Sequence, residues 1–584
     1  MSGGAGTLAT MLPYSPADSG TPAPSAAGGK VASHRGLILG TCCSALFMVG
    51  LDNTIVNTGL PAMERSLHAG VGGMQWIIAA YTVTLAGTLM FSGSVADRVG
   101  RRTVFQAGLA LFVLGSWMCS MAPSLAWLIS ARVLQGAGGS MLNPAALGII
   151  TSIFTRPGER ARAIGVWDSA FGISMALGPV LGGVLVSAEG WRGVFRVNIP
   201  VGLIALALTA VIVPDSRPSA PRRADRPGQG LVLITLTCLT AGIIAGPGAG
   251  WLAPETMLLF AASAASAALL LAYEPRRKEP LIQVRRGRSG ALIGAVVIGV
   301  CAIAALAGFL FLTAFYLQDV RGMSALRAGL AVVPMPAEMA VCSPIAARLI
   351  ARRGARIPAV AAGAALALAS VALSRQTGTT PEGDLCLAYA LFGAGVGLAS
   401  PVITYGVMSA LPPERASLAS GLNSSSRQLG QSLGVAAVGA ILAASLHGPM
   451  MSGFIPASRT GWLLLAGCGI AVLVTGAVTA TEWSKAASRS GPGPRNRNRI
   501  ALRLRAAAAA TRRTREAGDR RAVKQLRRTH RKPPRSAGRG RYHGRHRKLA
   551  AAPAREAAAG TAAASGQGLP ALVTCPEAQC SGRS

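Results

Sequence analysis

Residues 75–102 read QWIIAAYTVTLAGTLMFSGSVADRVGRR, an apolar run followed at once by a basic cluster. A helix needs roughly 20 predominantly apolar residues to cross the hydrocarbon core of a bilayer, and residues 75–97 supply them. Basic residues collect in cytoplasmic loops, so Arg98, Arg101 and Arg102 place the end of this helix in the cytoplasm. The stretch therefore predicts a membrane-spanning helix that runs from the outside inward.

The same pattern recurs along the whole chain and predicts an all-α integral membrane protein. Fourteen runs are apolar and long enough to span a bilayer. We number them as spans 1 to 14, and they lie at residues 37–60, 75–97, 104–122, 125–153, 163–187, 193–213, 229–247, 254–273, 290–316, 327–349, 357–374, 384–410, 417–446 and 460–481.

The charges of the connecting loops test this count independently. Basic residues cluster in alternate loops, at 98–102, 156–162, 217–226, 276–288, 352–356 and 415, while the intervening loops carry isolated arginines or none. This alternation predicts an even number of spans with both termini in the cytoplasm. Six tryptophans also fall at the predicted outer ends, as an interfacial aromatic belt requires: Trp76, Trp117, Trp127, Trp191, Trp251 and Trp462.

The composition argues against a soluble nucleic-acid-binding protein, although the net charge first suggests one. The 584 residues include 57 Lys and Arg against 22 Asp and Glu, a formal net charge of +35. A soluble basic protein would not also be 51% hydrophobic with a mean hydropathy of +0.45. Residues 484–584 hold 25 of the basic residues and only 4 acidic ones. We expect this tail and residues 1–35 to be disordered in the cytoplasm.

An internal repeat divides the apolar body into two halves. Residues 93–102 (GSVADRVGRR) follow span 2, and residues 344–354 (PIAARLIARRG) form a similar loop after span 10, with Ala347 in the place of Asp97. This offset predicts six-span bundles at 36–213 and 289–483, separated by two extra spans at 214–288. Paired bundles of this kind are the architecture of alternating-access carriers.

Several motifs resemble those of a known family in the same order. Residues 93–102 look like the loop 2–3 signature of the major facilitator superfamily, and residues 128–136 (LISARVLQG) resemble its span 4 motif. Gly172 with residues 178–183 (GPVLGG) resembles the span 5 motif of drug:proton antiporters. Residues 51–57 (LDNTIVN) and 191–200 (WRGVFRVNIP) are similar to the fourteen-span branch of those antiporters. The resemblance covers residues 35–480 and implies proton-coupled export of drugs.

The loop 2–3 motif has two interpretations. Its residues are Gly93, Asp97, Arg98, Gly100, Arg101 and Arg102. The glycines permit a tight turn and close helix approach, and the charged groups could pair with a helix N-terminus, carboxylates or lipid phosphates. We therefore expect a conformational latch, since a cluster that only sets topology needs neither the aspartate nor the glycines.

The span 5 motif also has two interpretations. Its residues are Gly172, Gly178, Pro179, Gly182 and Gly183. The proline can bend the helix, and the glycines allow another helix to pack closely. The resemblance implies an interface that seals the antiporter against proton leak, and simple helix packing is the alternative.

Five ionisable residues lie well inside the predicted spans, where an unpaired charge is costly: Asp52, Arg132, Asp168, Glu338 and Arg427. Asp52 could bind a proton or a cation in a water-filled cavity, or hydrogen-bond a neighbouring helix. Arg132 resembles the proton-relay arginine of the family, with a structural ion pair as the alternative. Asp168 could instead pair with Arg160 or Arg162.

The last two of these residues leave similar choices. Glu338 departs from the apolar pattern expected from the family, and it is a second candidate for protons or cationic substrates if it faces the cavity. Arg427 could counter one of the acids or make a packing contact.

No chemistry besides transport has support in the sequence. A phosphate-binding Gly-Lys-Ser/Thr loop is absent, as is a catalytic Ser/His/Asp set or a cluster of metal ligands. We therefore expect neither an enzyme nor a cofactor or metal.

The sequence as a whole predicts a plasma-membrane exporter that exchanges amphipathic or cationic organic compounds for protons. A dedicated exporter of one metabolite with the same fold is the first alternative. A membrane-anchored lipid- or nucleic-acid-binding protein acting through its basic tail is the second. We expect a monomer whose basic loops and tail bind anionic lipid headgroups, with no nucleic acid as partner.

Overall fold

The computed structural model describes residues 26–215, 225–273, 289–410, 416–446 and 450–490, and every regular element in these ranges is helical. The predicted tail beyond residue 490 and residues 1–25 lie outside the described residues. The helices are α1 (Ala26–Leu67), α2 (Val71–Val99), α3 (Arg101–Ser120), α4 (Leu125–Ile153), α5 (Pro157–Glu189), α6 (Gly193–Arg196), α7 (Asn198–Ile212), α8 (Arg226–Ala249), α9 (Pro254–Tyr273), α10 (Ser289–Phe315), α11 (Ala325–Ala331), α12 (Pro334–Arg353), α13 (Arg356–Leu373), α14 (Glu382–Ala410), α15 (Ala416–Ser445) and α16 (Met450–Ser490).

Each predicted span corresponds to helical structure, although two spans are interrupted. Span 6 is divided between α6 and α7, and span 10 between α11 and α12. Pro334 begins α12, where its missing N–H costs no hydrogen bond within the helix. At the N-terminus, α1 begins at Ala26 and so extends into the segment predicted as disordered.

Thirteen helical segments in the described ranges are long and apolar enough to cross a membrane. The helix α4 is 29 residues long but is not one of them. It carries Arg132, Gln135 and several glycines among its apolar residues, which lowers its hydropathy. These polar residues are buried inside the protein rather than exposed to its surroundings.

The helices pack in two halves that repeat the same arrangement. In the first half α1 packs on α5, α2 on α4, α3 on α4, and α7 on both α1 and α3. In the second half α10 packs on α15, α12 on α14, α13 on α14, and α16 on both α10 and α13. The repeat seen in the two basic loops therefore extends to the packing of whole helices.

The extra pair of helices, α8 and α9, pack against each other beside the two halves. The helix α8 contacts α2 of the first half and α15 of the second. Thr240 of α8 and Ser432 of α15 share a hydrogen bond of 3.2 Å. These helices therefore flank the junction of the halves.

The two halves meet mainly along three helix pairs, α2 with α15, α1 with α10, and α5 with α11, with smaller contacts of α1 with α11 and of α5 with α12. In the first pair Gln75 donates from Nε2 to the carbonyl of Ala436 over 2.6 Å. In the third, Gly329 of α11 lies against the carbonyl of Pro179, and a Cβ on Gly183 would lie 2.6 Å from the carbonyl of Ala325.

The contact between α1 and α10 includes an ion pair between the two halves. Arg65 Nη1 lies 2.9 Å from Asp319 Oδ1, which belongs to a π-helical turn after α10. Beside it Gln318 Nε2 donates to the carbonyl of Thr58 over 2.9 Å. We refer to Thr58, Arg65, Gln318 and Asp319 as the α1–α10 latch.

The tryptophans of the predicted aromatic belt differ in exposure. Trp117, Trp127 and Trp251 are exposed, as side chains at a membrane interface should be. The prediction is wrong for Trp191 and Trp462, which are buried. Trp462 packs edge-on against Phe309 with ring centroids 6.0 Å apart, because an aromatic ring near a helix end can also fill the gap between neighbouring helices.

Candidate transport site

An ion pair is buried within the first half. Asp52 of α1 and Arg132 of α4 are 0% and 1% exposed, and Asp52 Oδ2 lies 2.6 Å from Arg132 Nη1. The second carboxylate oxygen, Oδ1, accepts a hydrogen bond of 2.9 Å from Gln135 Nε2. Both oxygens of the carboxylate are thus bound, as a buried charge requires. Asp52 is enclosed by protein, and it is not among the residues that line the two cavities described below.

Arg132 has other partners besides the carboxylate, and none of them is charged. Its Nε donates to the carbonyl of Ile77 over 2.9 Å, and Nη1 donates to Gln135 Oε1 over 2.7 Å. The guanidinium carbon lies 4.2 Å from the centroid of the Tyr81 ring, within the range of a cation–π contact. These contacts hold the arginine from α2 and α4 independently of Asp52.

This arrangement has a chemical consequence for proton binding. Protonation of Asp52 would remove the negative charge that faces Arg132, but the carbonyl, the amide oxygen and the aromatic face would still bind the guanidinium. The cluster therefore contains a carboxylate that can be neutralised without leaving its arginine unpartnered.

Gln135 is the residue of this cluster that the sequence interpretation missed. It joins Asp52, Arg132 and Ser116 of α3, since its Nε2 also donates to Ser116 Oγ over 3.0 Å. Its position, three residues after Arg132 within an apolar span, places the two side chains on one helix face. That spacing was a usable signal.

Arg427 lies at the junction of the halves, and Asp168 acts on it electrostatically without forming an ion pair among the described residues. Arg427 of α15 donates to Ser400 Oγ over 3.1 Å, and its guanidinium carbon lies 6.0 Å from the Phe171 ring of α5. Asp168, one turn before Phe171, is exposed and close enough for its charge to interact with Arg427. Among the ion pairs of the described residues, none joins Asp168 to the alternative partners Arg160 and Arg162.

Glu338 lies apart from both groups. It is half-buried on α12, and the hydrogen bond it accepts comes from Cys342 Sγ, 3.7 Å away and one turn further along the same helix. Among the described residues, Glu338 does not line either of the cavities found between the halves. The structure therefore does not bring the two candidate carboxylates, Asp52 and Glu338, to one site.

The loop 2–3 motif binds α2 and α3 to the rest of the first half. Arg101 Nη1 donates to the carbonyl of Gly148 in α4 over 2.7 Å, and Arg102 donates to the carbonyl of Ala210 in α7. Asp97 Oδ1 lies 3.7 Å from Arg101 Nη2. Gly100 adopts a φ of 118°, a conformation that strongly favours glycine. A Cβ on Gly93 would make an ordinary contact with Pro144 at 3.5 Å.

The span 5 motif separates into packing positions and an open position. Gly178 lies directly against the side chain of Thr54 in α1, and a Cβ on Gly182 would lie 3.0 Å from the carbonyl of Ile55. A Cβ on Gly172 would meet no atom within 4 Å. Of the motif, Gly178, Gly182, Gly183 and Pro179 therefore form the seam that joins α5 to α1 and α11.

Two cavities lie between the halves, next to this seam. The first encloses about 20 Å³, room for about one water molecule, and is lined by residues that include Asn53, Asn57 and Gln431. The second is of the same size, shares Asn57 and Leu310 with the first and adds Thr313. The two asparagines stand beside Asp52 in residues 51–57, four positions apart and hence on one helix face, but their role was not interpreted from the sequence. In the described ranges no group of His, Cys, Asp and Glu side chains is arranged to hold a metal.

Two repeated helical halves, with a buried ion pair in one and small cavities between them, define a multi-span membrane transporter. The family model of the Major Facilitator Superfamily matches residues 42–435. The chain belongs to the Major Facilitator Superfamily, and the family resemblance drawn from its motifs is confirmed.

The similar relatives carry names that refer to drugs and antibiotics. The chain is 36% identical to the multidrug resistance protein Stp of Mycobacterium tuberculosis, over 69% of this chain and 74% of the relative. It is 32% identical to the methylenomycin A resistance protein of Streptomyces coelicolor, over 75% of this chain and 94% of the relative. It is 36% identical to the tetracenomycin C resistance and export protein of Streptomyces glaucescens, over 68% and 74%.

Solved structures share the fold at low sequence identity. A bacterial homologue of the human lysosomal transporter Spinster, in an inward-facing and unoccupied conformation, aligns with a TM-score of 0.56 at 17% identity, over 78% of this chain and 98% of that one. A peptide transporter in complex with sulfate aligns with a TM-score of 0.57 at 16% identity, over 77% and 95%. This likeness supports the helical transporter fold alone.

Proposed function

We propose that this chain exports amphipathic organic compounds, cationic ones included, in exchange for protons. The drug- and antibiotic-resistance names of its relatives support export. The observation that carries the proton coupling is the buried Asp52, whose partner Arg132 keeps three uncharged partners when the carboxylate is neutralised. The activity is transport, with no covalent step assigned to the chain.

The proton and the substrate act on the same structure by alternating access. Proton binding at Asp52 removes the charge attraction between α1 and α4, and α1 also carries the α1–α10 latch and lines both cavities. Protonation and opening are therefore coupled through one helix. The charge of Asp168 acts on Arg427 across the halves, and in this proposal the two residues take part in closing the opposite end. The loop 2–3 motif stabilises one facing state, and the span 5 seam limits proton leak.

The proposed transporter has a defined orientation in the membrane. All fourteen spans cross the plasma membrane, including α4 and the α8–α9 pair, and both termini are cytoplasmic. The three bodies of the chain are residues 36–213, 214–288 and 289–483. In that orientation the α1–α10 latch lies on the outer side, so the described state is closed to the outside. The basic loops bind anionic headgroups, and the monomer is the functional unit.

The test is efflux of a fluorescent cation from cells that express the full chain. We expect efflux to stop when a protonophore removes the proton gradient, and Asp52→Asn to abolish it with the gradient intact. Asn keeps the shape of the side chain but cannot take up a proton. Arg459→Met, which alters an exposed arginine of α16, is the control for expression and insertion. Undiminished efflux by the Asp52→Asn variant would contradict the proposal.

A dedicated exporter of one metabolite is the second candidate, and the name of the tetracenomycin C resistance and export protein favours it. A resistance profile over a broad panel of compounds separates the two, because a dedicated exporter protects against a single chemical family. The tail-based alternative is tested by deleting residues 484–584, after which transport should persist if the helical body is the transporter.

A further inference from the structure

A second acidic residue stands beside the α1–α10 latch. Glu64 precedes Arg65 in α1, and its charge interacts with that of Asp319, whose Oδ1 lies 2.9 Å from Arg65 Nη1. One arginine thus serves two carboxylates that belong to opposite halves of the protein, and one negative charge is left over when both are ionised. Because like charges repel each other, Glu64 and Asp319 oppose the closing of the junction when both carry a charge.

The contacts of Asp319 leave one of its oxygens without a donor. Its side chain is 14% exposed, Oδ1 faces Arg65, and Oδ2 is buried with no hydrogen-bond partner. A buried carboxylate oxygen without a donor is destabilising. A proton bound in this cluster supplies a donor and also cancels the surplus negative charge. The closed arrangement is therefore more stable with one proton than with none.

Glu64 is the residue of the pair that takes up this proton first. Burial and the neighbouring charge of Asp319 raise the pKa of Glu64 from its usual 4.5 to about 6, against the opposing effect of Arg65. Burial also raises the pKa of Asp319, but that carboxylate holds the direct ion pair with Arg65, which favours its charged form. Glu64 follows the predicted span 37–60 and Asp319 follows the span 290–316, so both lie beyond the membrane-spanning segments.

Within the described residues, the other charged groups around the latch are bound elsewhere or exposed. They are Arg321, which donates to the carbonyl of Thr380, Arg192, which donates to that of Ala122, Arg196, which pairs with Glu189, and the exposed His68, Arg327 and Arg459. The charges that shift the pKa of Glu64 are those of Asp319 and Arg65. A histidine can also change its charge between pH values of about 5 and 8, so His68 requires a control of its own.

We propose that Glu64 is a second proton-binding residue of this transporter, and that its protonation stabilises the conformation closed at the α1–α10 latch. Opening separates Glu64 from Asp319 and admits water to both, which returns the pKa of Glu64 toward 4.5. A group that binds its proton more tightly in one conformation favours that conformation as the pH falls. The closed state therefore gains population as the pH falls through about 6 toward 4.5.

This inference rests on the proposed proton-coupled export, to which it adds a residue outside the Asp52 cluster. In the proposed orientation the latch lies on the outer side. A proton taken up from outside then favours the closing of that side.

The test is double electron–electron resonance on the full-length protein in lipid nanodiscs without substrate. Genetically encoded spin labels at Met121 and Thr379, exposed positions in turns of the two halves, avoid interference from the ten cysteines. We expect the ratio of closed to open molecules to rise by about fivefold from about pH 8 to about pH 5. Glu64→Gln resembles the protonated side chain and should show the closed distance distribution at both pH values.

Four further variants separate Glu64 from other causes of a pH response. Glu64→Asp keeps an ionisable group at the latch and should keep a response. Glu189→Gln removes another acidic residue of the first half, and His68→Asn removes the histidine while retaining a residue type that tolerates its φ of 49°. Both should respond as the wild type does. Asp52→Asn should also respond, because Asp52 is enclosed within the first half.

Several outcomes would overturn the inference. These are a full pH response in Glu64→Gln, a wild-type ratio that stays constant or falls on acidification, and a response that is lost in Glu189→Gln, His68→Asn or Asp52→Asn. The measurement needs neither a proton gradient nor a substrate. A protein with a Glu64-dependent response but without proton-coupled efflux would keep this inference and lose the proposed coupling.

Discussion

At the scale of single residues, the protein keeps one complete charge pair inside its first half. Asp52 and Arg132 are enclosed by helices, and Gln135 bonds to both of them. Removing the arginine alone is more destabilising than removing both charges, because the Asp52 carboxylate then stays buried without a cation beside it.

This asymmetry gives a prediction for the arginine. Arg132→Met leaves the Asp52 carboxylate unpaired and should lower the free energy of unfolding by about 3–5 kcal/mol. The double variant with Asp52→Asn should recover most of that loss, since no buried charge remains. Chemical unfolding of the purified proteins measures both. Arg459→Met is the matched control, and as an exposed change it should stay within about 0.5 kcal/mol of wild type.

Recovery in the double variant distinguishes charge from packing. If Met simply fills the space of Arg132 badly, the double variant should be no more stable than the single one. That result would contradict the role given to the ion pair.

At the scale of the helices, α5 is positioned by its glycines. Gly178 and Gly182 lie against α1, and Gly183 lies against α11 of the other half. One helix thus contacts both halves of the protein through positions that have no room for a side chain. Small residues are what allow helices to approach this closely within a membrane.

Two glycines of the same motif make a matched pair for a second prediction. Gly178→Ala places a methyl group against Thr54 and should destabilise the protein by about 1–3 kcal/mol. Gly172→Ala meets open space and should be neutral or stabilising by up to about 1 kcal/mol, because alanine favours the helix. Thermal unfolding and efflux of both variants provide the comparison. Equal effects would show that the motif does not act through packing.

At the scale of the whole molecule, the α1–α10 latch joins the two halves at one end. Arg65 is largely exposed, with 63% of its side chain accessible, so its pair with Asp319 contributes only about 0.2–1 kcal/mol. A weak contact of this size suits a latch that must open in each transport cycle.

The latch gives a prediction about the balance of states. Asp319→Asn should shift the population toward the state in which this end is open, by up to about fivefold. Spin labels at Ser66 and Ser324, both exposed at this end, report the separation of the halves by double electron–electron resonance. Glu189→Gln, which removes an ion pair within the first half, is the control. An unchanged distance distribution in Asp319→Asn would contradict the assignment.

Much of the fold could be predicted from the sequence because hydropathy is a local property. Each apolar run from α1 to α16 corresponds to helical structure, and the repeated basic loops indicated the two halves. The breaks within spans 6 and 10 were not predicted, because the hydropathy of an apolar run is the same whether it forms one helix or two. The burial of Trp191 and Trp462 depends on neighbouring helices, so it could not be predicted from the sequence around each residue either.

The candidate site was predictable only as a set of residues. The buried charges Asp52 and Arg132 were found from their cost in an apolar span, but they are 80 positions apart and only the folded chain brings them together. The same local reasoning also selected Glu338 as a second candidate for proton or substrate binding, although it lies apart from the ion pair. No role was assigned to Gln135, Asn53 and Asn57 from the sequence, because a neutral polar residue in an apolar span costs less than a charge and so is a weaker signal.

Proton coupling through Asp52 is tested most directly by a proton measurement on the full chain reconstituted in liposomes. A pH-sensitive dye inside the vesicles records proton movement when a substrate gradient is imposed. We expect the wild type to move protons in the direction opposite to the substrate, and we expect Asp52→Asn to move neither. Substrate flux without proton movement, or proton exchange that persists in Asp52→Asn, would contradict this coupling.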